Sequence, residues 1–265
     1  MSDESLETIP IIYEESHFLL VDKPAGMFSQ AARDVPSLET CLREQLKRRD
    51  VHPGLPFVGL PHRLDRGTSG IMLIARNQRA LKRFGEQFQS RKVHKFYMAV
   101  VEGVVEDGGP QRWEDFVRKI PDRPQAEVVS RQASGARLAV ATVRCLGGQA
   151  GLSLLLVGLE TGRMHQIRLQ AASRGLPVLG DAAYGARQVF SASSVSQVAS
   201  GDRPHAHPPI ALHALRLEFR HPQTAKPLSG TANLPPSWAT LPTAVAELAQ
   251  AEVARSRRQM AESWA

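Results

Sequence analysis

A run of strand-like segments separated by short turns limits the fold of this chain more than any other feature. Three such segments follow one another near residues 126–131, 137–146 and 152–160. Connections this short join antiparallel strands, because a parallel crossover needs a dozen or more residues. Strands and helices elsewhere show no regular β-α-β alternation. We therefore predict an α+β fold, built as a large mixed, mostly antiparallel sheet with covering helices.

Apolar spacing predicts the remaining elements. Further strands are expected over 9–13, 18–21, 70–76 and 95–103, and the alternating Leu215, Leu217 and Phe219 indicate the last strand. Helices are expected from Ser37 to about residue 49, after Asn77, from about 163 to 174, and over 243–263. The glycines, prolines and charges of 106–125 indicate a loop or insertion, and 186–209 a second loop.

Composition narrows the class of protein. The chain has 265 residues and lacks any apolar run of about 18 residues, so we predict no transmembrane helix. Its acidic, polar start does not match a secretory signal, and we expect a cytoplasmic protein. Cys41 and Cys145 form no Cys-x-x-Cys pair, so we interpret both as small buried apolar residues rather than metal ligands or a disulfide.

The charge balance permits a polyanionic partner. A net charge of +7 and a pI near 9.8 are compatible with nucleic-acid binding. Many basic proteins bind no nucleic acid, so the positions of the arginines matter more than their number.

The most informative stretch runs from Pro61 to Gly70, a polar loop that leads into an apolar strand. Its carboxylate, Asp65, lies between Arg63 and Arg66, and positive neighbours favour the ionised form that acts as a nucleophile. From these residues alone, an Asp in an ordinary surface ion pair is the commoner explanation.

A second stretch, residues 160–168, combines a predicted helix start with basic side chains. A capped N-terminus gathers N–H donors and suits a phosphate. Helical spacing puts Arg163 and Ile167 on one side and His165 and Arg168 on another. A solvated polar helix face explains the same pattern equally well.

A third stretch, residues 95–101, alternates so that Tyr97 lies on the opposite sheet face from Phe96, Met98 and Val100. A tyrosine stacks on a nucleobase while its hydroxyl acts as acid or base, although a half-buried sheet tyrosine is the commoner case. His205 and His207 lack a third ligand nearby, and we predict no metal site there.

Taken in order, these stretches resemble the RluA family of pseudouridine synthases. The family's HRLD-x-x-TSG loop matches residues 62–70 at every fixed position, its K-x-Y-x-A strand matches 95–99, and its TGR-x-HQIR segment matches 161–168. The run 175–185, the start 13–26 and the late 212–214 and 221–222 also fit. The resemblance covers about residues 9–235.

The resemblance implies a domain organisation and an activity. The catalytic domain would occupy 9–235, without an S4-type RNA-binding module, and a C-terminal helical extension 236–265. The enzyme would isomerise uridines of ribosomal or transfer RNA to pseudouridine, with no cofactor or metal. RNA is the expected partner; we infer no membrane or obligate protein partner and expect a monomer.

The resemblance also assigns residues. Asp65 would be the catalytic aspartate, Arg168 its ion-pair partner, and Tyr97 the residue that packs on the uracil and takes part in proton transfer. Arg63 would insert into the RNA where the flipped uridine leaves the stack. The predicted substrate-binding residues are His62, Arg63, Leu64, Arg66, Thr68, Ser69, Arg163, His165, Gln166 and Ile167.

Two other hypotheses remain at this point. An RNA-binding or RNA-folding protein that has lost catalysis is argued against by the presence of all three catalytic candidates. A retaining nucleoside or glycoside hydrolase that uses Asp65 would need a second carboxylate about 5 Å away. Inside the motif loops only the edge residue Glu160 offers one.

Overall fold

The computed structural model describes residues 8–30, 35–50, 55–190 and 208–264. In this part of the chain one ten-stranded sheet is covered by four α-helices. The strands are β1 (Ile11–Glu14), β2 (Phe18–Lys23), β3 (Ser69–Ala75), β4 (His94–Glu102), β5 (Gln111–Lys119), β6 (Ala126–Val129), β7 (Arg137–Gln149), β8 (Leu152–Leu159), β9 (Leu212–Arg220) and β10 (Pro227–Thr231). The helices are α1 (Leu38–Asp50), α2 (Gln78–Gln89), α3 (Gln166–Ala172) and α4 (Thr243–Trp264).

The sheet is mixed and mostly antiparallel, which confirms the predicted fold class. Its order is β1-β2-β3-β9-β4-β8-β7-β5-β6, with β10 also paired to β9. The parallel pairing in it joins β3 to β9 and is only two residues long, Ser69 with His213 and Gly70 with Ala214. This short pairing connects the β1–β3 half of the sheet to the half that contains β4 and β8.

The two faces of the sheet bury separate cores. Helices α1, α2 and α3 cover one face, on which Tyr97, Ala99 and Val101 of β4 are buried. The terminal helix α4 covers the other face and packs near Met98 and Val100. The predicted alternation of β4 is therefore confirmed, and it directs Tyr97 to the face from which α3 approaches.

Several predicted elements form at the expected places in the chain. The strand pair β1–β2 is antiparallel, and Asn77 caps α2 by accepting a hydrogen bond from the amide of Ala80 at 2.8 Å. In α1 the buried positions are Leu38, Cys41, Leu42 and Leu46, an i, i+3, i+4 pattern typical of an amphipathic helix.

Three expectations were wrong. Residues 106–125 are not only a loop, because β5 forms within them and pairs with β6 and β7. The last strand is β10 rather than β9, which β10 extends as an antiparallel hairpin. Helix α3 begins at Gln166, not near 163, because the preceding residues form a tight turn. Most of the loop predicted over 186–209, with His205 and His207, lies outside the described residues.

A substitution at Gly70 can test the two-residue connection between the two halves of the sheet. It has φ +115°, and a Cβ there would lie 2.2 Å from the carbonyl oxygen of Ala214. We predict that Gly70→Ala lowers the free energy of unfolding by on the order of 3 kcal/mol, through clash and backbone strain. Urea unfolding measures it. Gly85→Ala in α2, where a Cβ meets nothing within 4 Å, is the control and should stabilise by about 1 kcal/mol. Equal small effects at both positions would contradict the close approach.

Candidate active site

The loop that carries Asp65 is fixed to the β2 side of the sheet through backbone contacts. The hydroxyl of Ser29 accepts a hydrogen bond from the amide of Leu64 at 3.0 Å and donates to its carbonyl at 2.8 Å. The amide of Thr68 donates to the carbonyl of Asp65 at 3.1 Å, which closes a turn. Asp65 is thus held between two fixed points while its side chain is 31% exposed.

A fully buried lysine, Lys23, strengthens this loop. Its ammonium donates to the carbonyls of Pro24 and Met27, both at 2.8 Å, and approaches that of Arg66 at 3.4 Å. Arg66 itself donates through Nε to the carbonyl of Gly26 at 2.8 Å. A buried charge requires such partners, so these residues organise the backbone beneath the catalytic candidate.

Arg168 reaches Asp65 from α3. Its Nη1 lies 3.4 Å from Asp65 Oδ2, whereas its Nε and Nη2 donate to the two oxygens of Asp181 at 2.6 and 2.8 Å. The Asp181 side chain is only 1% exposed. Burial is the largest single influence on the pKa of Arg168 and lowers it, but the hydrogen bonds and charge of Asp181, together with the charge of Asp65, raise it by more, so the net shift is upward. Asp181 therefore fixes the guanidinium, and one amino group remains for Asp65.

Tyr97 lines the same space from β4. Burial, followed by the nearby charge of Asp65, raises the pKa of its phenol well above the ordinary value. The phenol is consequently protonated at neutral pH and offers a hydrogen-bond donor next to the carboxylate.

These side chains surround a cavity of about 510 Å³. The structure brings eleven of the predicted site residues to its wall: His62, Arg63, Leu64, Asp65, Thr68, Tyr97, Arg163, His165, Gln166, Ile167 and Arg168. It does not bring Arg66 and Ser69 there. Arg66 lies over the ring of Phe28 at 4.5 Å, and Ser69 Oγ is hydrogen-bonded to His213 Nδ1 at 2.9 Å.

Residues 161–165 form a tight turn instead of the first turn of a helix. The buried Gln166 holds this turn, since its Oε1 accepts from the Thr161 hydroxyl at 2.7 Å and from the Arg163 amide at 3.0 Å. His165 adopts a left-handed conformation, with φ 52° and ψ 29°. The predicted helical sides are therefore wrong for Arg163 and His165, which precede α3.

One side of the cavity is basic. Lys95 and Arg163 line it together with Arg91, and the Lys95 ammonium donates to the carbonyl of Thr161 at 3.3 Å. Burial, followed by repulsion from Arg91 and Arg163, lowers the pKa of Lys95 to about 8. Burial and its arginine neighbours also lower the pKa of Arg163. Three cations that disfavour one another form a suitable environment for an anion.

His62 is held as a neutral ring. Its Nε2 accepts from the amide of Leu73 at 3.0 Å, and the ring stacks on Phe88 with centroids 4.5 Å apart. Burial, followed by the charge of Lys95, lowers the pKa of His62 to about 3. Because Nε2 is an acceptor, the ring proton must be on Nδ1.

One group of potential metal ligands lies outside the cavity. Ligand atoms of Glu15, His17 and His221 lie within 4.8 Å of one another. The Nδ1 atom of His221 accepts from the amides of Gln223 and Thr224, both at 3.1 Å. The proton of a neutral ring is then on Nε2, which faces Glu15 at 3.0 Å. This arrangement is an ion-pair or hydrogen-bond cluster, not a set of free metal ligands.

Two residues at the site were not assigned a role by the sequence analysis. Asp181 holds Arg168, and the ring of Tyr184 lies under the same guanidinium at 4.9 Å. Both belong to the run 175–185, which contributed only to the resemblance. No local spacing marks them, because their contacts with α3 arise from the way the chain turns back after that helix.

The RNA pseudouridylate synthase family model matches residues 17–173. The chain belongs to this family. It is 32% identical over 237 residues to the ribosomal large subunit pseudouridine synthase D of Xanthomonas campestris, covering 89% of this chain and 69% of that relative. It is 31% identical over 218 residues to the dual-specificity RNA pseudouridine synthase RluA of Vibrio vulnificus, covering 81% and 78%. The chain is thus an RNA pseudouridine synthase, an isomerase that acts on RNA.

Solved structures agree with the fold. Human RNA pseudouridylate synthase domain containing 4 superposes with a TM-score of 0.66 at 21% identity, covering 91% of this chain and 92% of that one. Human RNA pseudouridylate synthase domain containing 1 gives 0.64 at 23% identity, covering 95% and 97%. Among the described residues, no helix of this synthase has the length and apolar character needed to cross a membrane.

The pKa of His62 gives a test of this geometry. The folded value is about 3, below the ordinary 6.5, so the ring should remain neutral as the pH falls from 8 to 5. As the pH falls, His62 takes up a proton in the unfolded chain before it does so in the folded protein. The stability that the neutral His62 ring contributes is therefore complete above pH 6.5 and is lost as the pH falls toward 3. NMR titration of the imidazole measures this. The urea-unfolded protein is the control and should titrate near 6.5; a folded-state midpoint near 6 would contradict the burial.

Proposed function

We propose that Asp65 starts the isomerisation of a uridine bound in the cavity, with Arg168 holding its carboxylate and Tyr97 packing on the uracil. The observation that carries this proposal is the convergence of all three side chains on one space. They come from the loop before β3, from α3 and from β4. The volume of about 510 Å³ falls within the range of about 300–1,000 Å³ typical of ligand pockets.

The reaction is an isomerisation with balanced atoms. The N1–C1′ bond of the uridine breaks, the uracil turns, and a C5–C1′ bond forms. C5 loses its proton and N1 gains one, so no external reductant, oxidant or water is consumed. Tyr97, whose phenol is protonated at neutral pH, contributes a donor for the proton movements around the ring.

The target nucleotide must leave the base stack, at a cost of a few kcal/mol. Arg63 is exposed at the mouth of the cavity. We propose that it fills the gap left in the RNA, since a guanidinium stacks on the remaining bases and offsets part of this cost. The positions of His62, Leu64, Thr68 and Ile167 in the wall support uracil or ribose contacts.

The basic side of the cavity supports a phosphate contact. Lys95, Arg163 and Arg91 lie together there, and a phosphodiester would relieve their mutual repulsion. We propose that the phosphate next to the flipped uridine binds these residues, with Arg66 and Ser69 supporting the Asp65 loop from behind.

The substrate that we propose is large-subunit ribosomal RNA. Relatives named ribosomal large subunit pseudouridine synthase D match 86–94% of this chain in four organisms. Pseudouridine mapping of ribosomal and transfer RNA from cells with and without the gene tests this. A ribosomal site that vanishes in the deletion supports the proposal, whereas loss confined to transfer RNA contradicts it.

We further propose that the protein is a cytoplasmic monomer whose catalytic domain spans residues 9–235. Light scattering measures the oligomeric state.

Asp65→Asn tests the catalytic assignment. We predict that pseudouridine formation falls at least 1,000-fold, because the amide lacks a nucleophilic oxygen anion, while RNA affinity stays within about threefold. Tritium release from RNA labelled at uracil C5 measures the activity, and filter binding measures the affinity.

The matched control is Asp115→Asn, which removes the same charge from an Asp–Arg pair outside the cavity, 2.9 Å from Arg174. This variant should keep most of its activity. Substantial turnover by Asp65→Asn, or free uracil released by the wild type, would contradict the proposed reaction.

A further inference from the structure

A second side chain faces the same oxygen of Asp65 as Arg168. The Nε2 atom of His165 lies 3.8 Å from Asp65 Oδ2, and Arg168 Nη1 lies 3.4 Å from it. The 3.8 Å distance is longer than a hydrogen bond, but catalytic contacts often tighten only when substrate binds. Both groups approach Oδ2, which leaves Oδ1 for the substrate.

His165 is a neutral ring in this environment. Burial is the largest influence on its pKa and lowers it; Asp65 and Asp181 raise the pKa, Arg168 and Arg63 lower it, and the net shift is downward. A neutral imidazole carries one proton, on either Nδ1 or Nε2. The effect on Asp65 depends on which nitrogen carries it.

Tyr184 and Asp65, which face the two ring nitrogens, together select between the two forms. Its oxygen lies 2.9 Å from His165 Nδ1 and accepts a hydrogen bond from the amide of Ala126 at 2.9 Å. The phenol can donate its proton to Nδ1 or accept one from it, and the carboxylate on the other side of the ring favours donation to Nδ1. The ring proton is then on Nε2, facing the carboxylate of Asp65. The opposite form would direct a lone pair at a carboxylate, which is repulsive.

The backbone indicates that the side chain at this position matters. His165 has φ 52° and ψ 29°, a conformation that costs a non-glycine residue about 1–2 kcal/mol. A glycine would avoid this strain, whereas an imidazole uses it to lie between Tyr184 and Asp65. Strain of this kind concentrates at functional sites.

We propose that His165 is a second, neutral hydrogen-bond donor to Asp65 Oδ2, and that Tyr184 is a positioning residue that fixes its tautomer. The inference rests on the proposed role of Asp65. Together His165 and Arg168 determine that Oδ1 reacts, and they do so with one charged and one neutral donor.

Two variants at His165 separate a donor from a space-filler. His165→Ala should lower kcat about 30-fold, with KM for RNA within about threefold of the wild type. His165→Gln, whose amide retains an N–H donor, should recover at least a third of the lost activity on a logarithmic scale. Equal kcat values for the wild type and His165→Ala would overturn the proposal.

Tyr184→Phe removes the hydroxyl but keeps the ring beneath Arg168. We expect kcat to fall about tenfold, and the ¹⁵N shifts of the His165 ring to change from the Nε2–H pattern to a mixture of tautomers. Tyr13→Phe, on the edge strand β1, is the control and should change neither quantity. An Nδ1–H ring in the wild type, or unchanged ¹⁵N shifts in Tyr184→Phe, would overturn the role of Tyr184.

A double-mutant cycle separates positioning from structure. In a His165→Ala background, Tyr184→Phe should have little further effect on kcat, because the ring that it orients is gone. A full additional tenfold loss would mean that Tyr184 acts through its bond to Ala126 instead, and would refute the proposal. Asp65→Asn, measured in parallel, separates the role of Asp65 from that of His165. If Asp65→Asn is inactive and His165→Ala is fully active, the role of His165 is rejected and the proposed role of Asp65 stands.

Discussion

The two-residue parallel pairing between β3 and β9 determines where the site lies. Ser69 and Gly70 pair there with His213 and Ala214. Ser69 follows Asp65 by only four residues along the chain. On the far edge of β9 runs β4, with Tyr97 paired to Ala214. Ala214 thus pairs with Gly70 on one side and with Tyr97 on the other, which sets the distance between the Asp65 loop and Tyr97. The close approach requires a residue without a side chain, because any Cβ at Gly70 would overlap the carbonyl of Ala214.

The guanidinium of Arg168 next to Asp65 is held mainly by Asp181 and not by Asp65 itself. Arg168 makes its two short bonds to the buried Asp181 and only a longer one to Asp65. Removing one member of a buried pair costs far more than a surface pair contributes, so Arg168 is fixed before substrate arrives. In the reaction that we propose for Asp65, a guanidinium fixed in this way costs little reorganisation.

The sequence predicts much of this structure, and what it does not predict has physical reasons. Asp65, Tyr97 and Arg168 lie in ordered motifs, so a resemblance places them together. Strand β5 was missed because its exposed positions are charged and its flanks rich in glycine and proline, which conceals the alternation of Trp113 and Val117. The start of α3 was misplaced because Gln166, a buried side chain, closes a turn that local propensity does not encode. The contacts of Asp181 and Tyr184 depend on tertiary folding alone.

The two neutral histidines limit the positive charge that lies next to the Asp65 carboxylate. His62 is made an acceptor at Nε2 by a backbone amide, and burial lowers its pKa and that of His165. The charged partner of Asp65 is then Arg168, which Asp181 holds in place. Protonated histidines would add mobile positive charge and draw phosphates toward the carboxylate. With these rings neutral, the cations around the cavity are its arginines and Lys95, and we propose that phosphate binds the cluster of Lys95, Arg91 and Arg163 while uracil binds beside Asp65.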